Sequence, residues 1–409
     1  MKPRTFVFVA AQTAFGEAVL GLRIAHELHA RGDRIVVLAG ELLSVLTSDT
    51  PFRAIAVTND EFNKGVARVV ARVVAEVHAD AVVLLDATLV YWLLKGQKAD
   101  ATFLRTVGVP VIGLDVWNTR ETGLTWDVCG TTWEHSVHSL EVSRRLVPVP
   151  FARPTGLPGL YNALPPPFSL DADERQDLRA DFGVGPKDRL LLLTSARWQH
   201  PTAQAHESGR RLAANLPSLA AELIGRLGPN VRVAHVGPEA YPMPSVGGRY
   251  TWLSQRTPAR FAKLLASSDL LVTFNFSATT IVSAISSGLP VVLGINSHGG
   301  SVDAICERLA ERPSGPVRAW LKRASPVSRY RVWPLGLHDY LTSTARDNPY
   351  TSALVSAEVL EESRFVEAMR ALLFDEAARA DLRHRQASYR EQVEKLPRAA
   401  DLIDAYLKS

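Results

Sequence analysis

Three hydroxyl side chains, Ser277, Thr279 and Thr280, stand with Ala278 where a short polar stretch passes into a helix-length segment. Upstream, Leu270–Phe274 is an apolar run; downstream come Ile281–Ser287, the turn Gly288-Leu289-Pro290 and a second apolar run, Val291–Leu293. Strand, polar turn, helix, turn, strand is the βαβ unit of a parallel sheet. Hydroxyls and unpaired backbone N–H groups at such a helix start converge on one spot and cradle phosphate without a lysine. The plainer reading is that Ser277 or Thr279 caps the helix. Arg197, in the loop Thr194-Ser195-Ala196-Arg197 after the strand Arg189–Thr194, could clamp a diphosphate in a bidentate geometry. Glu239, behind Gly237-Pro238 at the end of the strand Val231–Val236, could accept hydrogen bonds from a ribose. Two more carboxylates end strands in the first half, Asp86 after Leu84-Leu85 and Asp115 after Gly113-Leu114. Strand-end acids of a parallel sheet face its ligand crevice, although a helix cap or a loop hydrogen bond is the plainer role for each.

Positioning these groups takes two alternating α/β domains. Thr5–Ala11 reads as a first strand, Gln12–Gly16 as a small polar loop, and Glu17–Arg31 as a helix through Val19, Leu20, Leu22, Ile24, Ala25 and Leu28. Ile35–Ala39, Phe52–Val57, Ala81–Leu85, Val109–Leu114 and Arg144–Pro150 supply strands, with helices over Val66–His78 and Lys95–Val107. Prolines and glycines then break regular structure from Pro148 to Pro167. The expected division is 1–150 for a first domain, 151–172 for a linker, 173–354 for a second domain and 355–409 for terminal helices. The second domain opens with a helix over Asp173–Phe182 and adds a strand near Tyr250–Trp252; Val355–Leu373 and Glu376–Leu407 are helical in period.

A chain of 409 residues exceeds a usual single core, so two domains are the default. Its 46% hydrophobic and 22% charged residues are ordinary for a soluble enzyme, and the net charge of +4 marks out no nucleic-acid-binding face. Two cysteines, Cys129 and Cys306, make neither a disulfide framework nor a cysteine metal site, which points to a reducing cytoplasm. The apolar run after Met1-Lys2-Pro3-Arg4 ends at Gln12, too soon for a signal peptide, and no stretch has the length of a membrane span. The first loop lacks the G-x-G-x-x-G fingerprint, having only Gly16 and Gly21, so NAD is not expected. No metal is expected either: His135 and His138 have no third ligand, and Asp171-Ala172-Asp173 reads as charge at a helix N-terminus. Trp117, Trp126 and Trp133 could floor an acceptor pocket or pack under a long connection. From Arg318 to Trp333, basic and aromatic residues interleave. That pattern suits stacking on single-stranded nucleic acid, docking of an acidic carrier protein, or an amphipathic helix with an edge strand; the last is preferred.

Order and spacing add a resemblance. Trp252-Leu253-Ser254-Gln255, Leu264–Leu271, Ser277–Thr280 and Ser287–Val292 together are similar to the donor half of GT-B glycosyltransferases, whose two Rossmann-like domains face a cleft. The resemblance implies that Trp252 and Gln255 meet a uracil or thymine base and that Ser277, Ala278, Thr279 and Thr280 meet the diphosphate. Ser195, Arg197, Gly237 and Glu239 complete that side, and His338 and Asp339 fall where family members contact sugar hydroxyls. Many members carry a glutamate where this chain has Ser283, and Glu239 could stand in for it. Phe15-Gly16-Glu17 and the helix through Arg31-Gly32 resemble the opening of the antibiotic-type enzymes, where a Gly-Asp or Gly-His pair supplies the catalytic base. Glu17 sits on the matching position, with Asp115 and Asp86 as groups that could orient or replace it. Gln12, Trp117 and Trp126 are the acceptor-side candidates. At a helix N-terminus Glu17 is expected to have a lowered pKa. The expected activity is sugar transfer from a UDP- or dTDP-linked donor to a small-molecule or carrier-bound acceptor, with inversion and with no metal, cofactor, nucleic acid or membrane. A nucleotide-sugar epimerase of the same fold and a non-catalytic GT-B partner protein are the alternatives.

Overall fold

The computed structural model describes residues 2–10, 15–40, 44–88, 90, 107–118, 125–128, 131–134, 142–150, 152–204 and 207–409. Gln12, Cys129, His135, His138 and most of the expected helix Lys95–Val107 lie outside them. The chain divides into two compact units, one of Met1–Leu124, His135–Pro165 and Glu391–Ser409, the other of Thr125–Glu134 and Pro166–Arg390.

In the first unit the strands are β1 (Thr5–Val9), β2 (Arg34–Gly40), β3 (Arg53–Val57), β4 (Ala81–Leu84), β5 (Val111–Leu114), β8 (Arg144–Pro148) and β9 (Leu160–Tyr161). They form one parallel sheet in the order β3-β2-β1-β4-β5-β8-β9. Every residue of β1, β4 and β5 is buried, as continuous apolar runs covered on both faces must be. The helix Phe15–Ala30 returns the chain from β1 to β2. A capping box between Thr58 and Glu61 starts the helix Asn59–Val77, which kinks at Gly65, directly before the expected start at Val66.

The second unit holds β10 (Arg189–Thr194), β11 (Val231–Val236), β12 (Tyr250–Leu253), β13 (Leu270–Thr273), β14 (Val291–Ile295) and β15 (Val355–Glu358), parallel in the order β12-β11-β10-β13-β14-β15. Leu191, Leu193, Val233 and Val272 pack with Leu212, Leu216, Leu219 and Ile224, four buried residues of the helix Glu207–Gly225. β6 (Thr125–Val128) and β7 (Thr131–Glu134) make an antiparallel hairpin that belongs to this unit. Its Asp127 accepts backbone N–H groups from His338 (2.7 Å), Asp339 (3.2 Å) and Tyr340 (3.4 Å), capping the helix His338–Ala345.

Two expectations about the C-terminal helices are corrected. Val355–Leu373 is not one helix: Val355–Glu358 is the sixth strand, paired along β14, and the helix begins at Glu362. Glu376–Leu407 is broken by Pro397 into helices Glu376–Glu394 and Ala399–Lys408. Glu391–Ser409 belongs to the first unit, where Arg31 pairs with Asp401 (2.6 Å) and Asp404 (3.0 Å) and Arg4 also meets Asp404. The basic and aromatic segment contains the helix of the preferred reading, Gly315–Ala324; Trp320, Tyr330 and Trp333 are core residues, and the Trp320 indole donates to the Asn215 carbonyl at 2.7 Å.

Candidate functional site

On the second sheet the candidates gather at one edge, because parallel strands end together. The loop after β13 opens with Asn275, whose Oδ1 accepts both the backbone N–H (2.9 Å) and the hydroxyl (2.6 Å) of Ser277. Ser277 is thereby used to shape the turn, and neither it nor Thr279 caps the helix Thr279–Ser286. The N-cap is Ala278, with no side chain to offer the first-turn N–H groups. Thr280 Oγ1 is buried there with no hydrogen-bond partner, and so is Thr194 Oγ1 at the end of neighbouring β10. An uncapped helix start beside unsatisfied hydroxyls is chemically suited to an anion.

A buried network supports the next two strand ends. His235, fully enclosed in β11, meets Ser195 Oγ through Nε2 at 2.8 Å and the Tyr250 hydroxyl through Nδ1 at 2.7 Å; that hydroxyl also accepts the Tyr241 N–H at 2.7 Å. Burial, with nearby His200 adding to it, lowers the His235 pKa from 6.5 to about 3, so the ring is neutral. His200 stands 3.4 Å from Ser195 Oγ and 3.6 Å from Glu239; burial lowers its pKa while Glu239 opposes. Gly237 admits no side chain, since a Cβ there would fall 2.3 Å from Ser195 Oγ. The exposed Trp252 is anchored by its indole N–H to the Gly237 carbonyl at 3.0 Å, and the exposed Arg197 opens the turn Arg197–Gln199. Gln255 is half-buried just past β12.

His338 and Asp339 reach the same edge from the helix they begin. His338 Nε2 lies 3.1 Å from Ser297 Oγ, and Ser297 is bound in turn by Glu358 at the end of β15. Its Nδ1 lies 3.1 Å from Asp339, which is mostly exposed and pairs with Arg329; the His338 hydrogen bond and Arg329 hold its carboxyl below the usual range. His200, His235, Tyr250, Ser297 and Glu358 were not singled out in the sequence. A histidine inside an apolar strand reads as core, and only strand pairing sets Tyr250 beside it.

On the first sheet Glu17, Asp86 and Asp115 follow β1, β4 and β5, three adjacent strands. Gly21, one turn beyond Glu17 on the same helix face, packs so tightly that a Cβ would sit 2.2 Å from Leu85, the neighbour of Asp86. The expected lowering of the Glu17 pKa is corrected: burial raises it and outweighs the carboxylate's hydrogen bond to its own backbone N–H. Asp115 is buried in an ion pair with Arg145 at 3.0 Å. Asp86 is buried, and Trp117 is half-buried two residues past Asp115. Trp126 lies on the hairpin opposite Trp133, with both side chains outside the described set. Asp171 accepts the Glu174 N–H at 2.8 Å as the N-cap of the helix Ala172–Ala180. Among the described residues no three His, Cys, Asp or Glu side chains cluster as metal ligands, and no helix is long and apolar enough to cross a membrane.

The family of unknown function DUF6365 matches residues 25–409. The chain belongs to that family. Comparison with the curated proteins finds none that matches. Among solved structures, this DUF6365 chain is similar to Arabidopsis thaliana UGT89C1 complexed with UDP-L-rhamnose, at TM-score 0.56 and 11% identity over 100% of this chain and 99% of that one. It is also similar to the glycosyltransferase VinC in complex with dTDP, at 0.54 and 12% over 99% and 98%. A putative UDP-N-acetylglucosamine 2-epimerase from Listeria monocytogenes aligns at 0.51 and 10% over 94% and 91%. The fold of the DUF6365 chain is GT-B, with two Rossmann-like parallel sheets.

Proposed function

We propose that this chain is a glycosyltransferase that moves a sugar from a UDP- or dTDP-linked donor to an acceptor hydroxyl, with inversion and without a metal ion. The observation that carries the reading is the uncapped start of the helix Thr279–Ser286, with the buried, unpartnered Thr280 hydroxyl beside it. The first-turn N–H groups and Arg197 stabilise the departing diphosphate as the anomeric C–O bond breaks. Trp252 and Gln255 flank the base, and His338 and Asp339 the sugar. Glu17 takes the proton of the attacking hydroxyl, and its raised pKa makes it a stronger base than an exposed carboxylate. Asp115, engaged by Arg145, is assigned to positioning, as is Asp86. Gln12, Trp117 and Trp126 are assigned to the acceptor, a small natural-product molecule or one borne on a carrier. The nucleotide complexes of UGT89C1 and VinC support the donor class.

A panel of UDP- and dTDP-sugars incubated with the protein tests the reading. Slow donor hydrolysis with release of the nucleoside diphosphate and an unaltered sugar is expected. A scrambled sugar configuration indicates an epimerase, and donors left intact at high protein concentration contradict both.

A further inference from the structure

At the edge of the second sheet where β10, β13 and β14 begin, a cavity of about 350 Å³ is lined by four arginines, Arg175, Arg189, Arg379 and Arg383, with Asp269 the one carboxylate in its wall. Asp269 cannot balance them. It already receives Arg179 at 2.7 Å, Arg175 at 3.1 Å and the Leu190 N–H at 2.8 Å. The other acid in reach, Glu376, meets Arg379 at 3.4 Å and Arg383 at 3.2 Å from a side chain 71% exposed, where water screens the pairing. Arg379 is itself largely buried, and its Nε has no hydrogen-bond partner. Burial first, and Arg383 next, push its guanidinium below the usual pKa; Glu376 and Asp269 oppose, and Arg189 adds to the lowering. Converging guanidinium groups in excess of carboxylates, one with a buried donor unmet, suit the fork geometry by which arginine holds phosphate oxygens.

The donor candidates leave the sheet at its other edge, roughly 15–20 Å away along strands of this length. We propose that this arginine-lined cavity is a second anion site, distinct from the donor site, that binds a small phosphate-bearing molecule. It stands independently of the glycosyltransferase reading.

The test titrates inorganic pyrophosphate into the full chain by calorimetry at fixed ionic strength, in a Thr279→Ala, Thr280→Ala background that weakens the donor cradle. Saturable binding is expected, weakened at least tenfold by Arg383→Gln, at a half-exposed position that leaves the core untouched, and by Arg379→Gln. Parallel titrations with inorganic phosphate and a nucleoside monophosphate distinguish a bare phosphate from a nucleotide as the preferred ligand. No saturable pyrophosphate binding at millimolar concentration, or a change below tenfold in both arginine variants, overturns the proposal. Failure of the donor reading shows separately, as unchanged nucleoside-diphosphate affinity in the background variant alone.

Discussion

Acid should loosen the second sheet through His235, to an extent that follows from its surroundings. The ring is fully enclosed, and its pKa falls from 6.5 to about 3 because burial penalises the imidazolium. An unfolded chain binds the proton near 6.5 while the folded one does not, so stability is present above that pH and lost as pH falls toward 3. The slope is about 1.4 kcal/mol per pH unit, so about 2 kcal/mol of this contribution is gone at pH 5. The hydrogen bonds point the same way. The Tyr250 hydroxyl already accepts the Tyr241 N–H, so its proton is free to go to His235 Nδ1 and leave Nε2–H for Ser195. Protonating Nδ1 forces Tyr250 to reorient. His235→Gln removes the titrating ring, and Tyr250 and Ser195 are still offered an amide. The comparison is the change in stability between pH 7.5 and 5.0, wild type against variant, so that other groups and the cost of the substitution cancel. Amide exchange of β10 and β11 is the suitable probe, since a chain of two units need not unfold in one step. The wild type should lose about 2 kcal/mol more than the variant across that range. Equal losses would refute the reasoning.

Three further outcomes follow from the site. Glu17→Gln should lower turnover by roughly 10²–10⁴-fold, and wild-type turnover should climb with pH through the raised Glu17 pKa, a limb that the variant lacks. The raised Glu17 pKa also makes wild-type stability decline as pH rises from the ordinary 4.5 through the folded value; steady-state rates and denaturation across pH check both, and retained turnover in the variant removes Glu17 as the base. Gly237→Ala sets a Cβ against Ser195 Oγ at 2.3 Å and His235 Nε2 at 2.8 Å, which must separate that pair; nucleoside-diphosphate affinity should fall by about 1–2 kcal/mol in a calorimetric titration. Turnover should persist in excess EDTA, and a loss restored by magnesium or manganese would assign diphosphate neutralisation to a cation.

The strands β10 and β11 were legible residue for residue, because Arg189–Thr194 and Val231–Val236 are apolar runs closed by turn residues. Val355–Glu358 was not. Val-Ser-Ala-Glu carries no strand signature, and its state is decided by β14 beside it. Polar–apolar spacing placed the candidate loops at strand ends, but not what holds them: Asn275 under Ser277, His235 under Ser195, and Asp127, 211 residues away from the helix start it caps. The sign of the Glu17 shift was misread for a related reason. Helix polarity is visible in a sequence, whereas the burial that overrides it depends on packing such as that of Gly21 on Leu85.

Calorimetric titration of UDP and dTDP, without added metal, into the wild type and the Thr279→Ala, Thr280→Ala variant bears most directly on the diphosphate cradle. One of the two nucleotides should bind the wild type, and the folded double variant should lose roughly 1–3 kcal/mol of that affinity through hydrogen bonds to a charged group. Equal affinity in the two proteins, or no binding of either nucleotide to the wild type, would contradict the assignment of the helix start Thr279–Ser286 as the donor site.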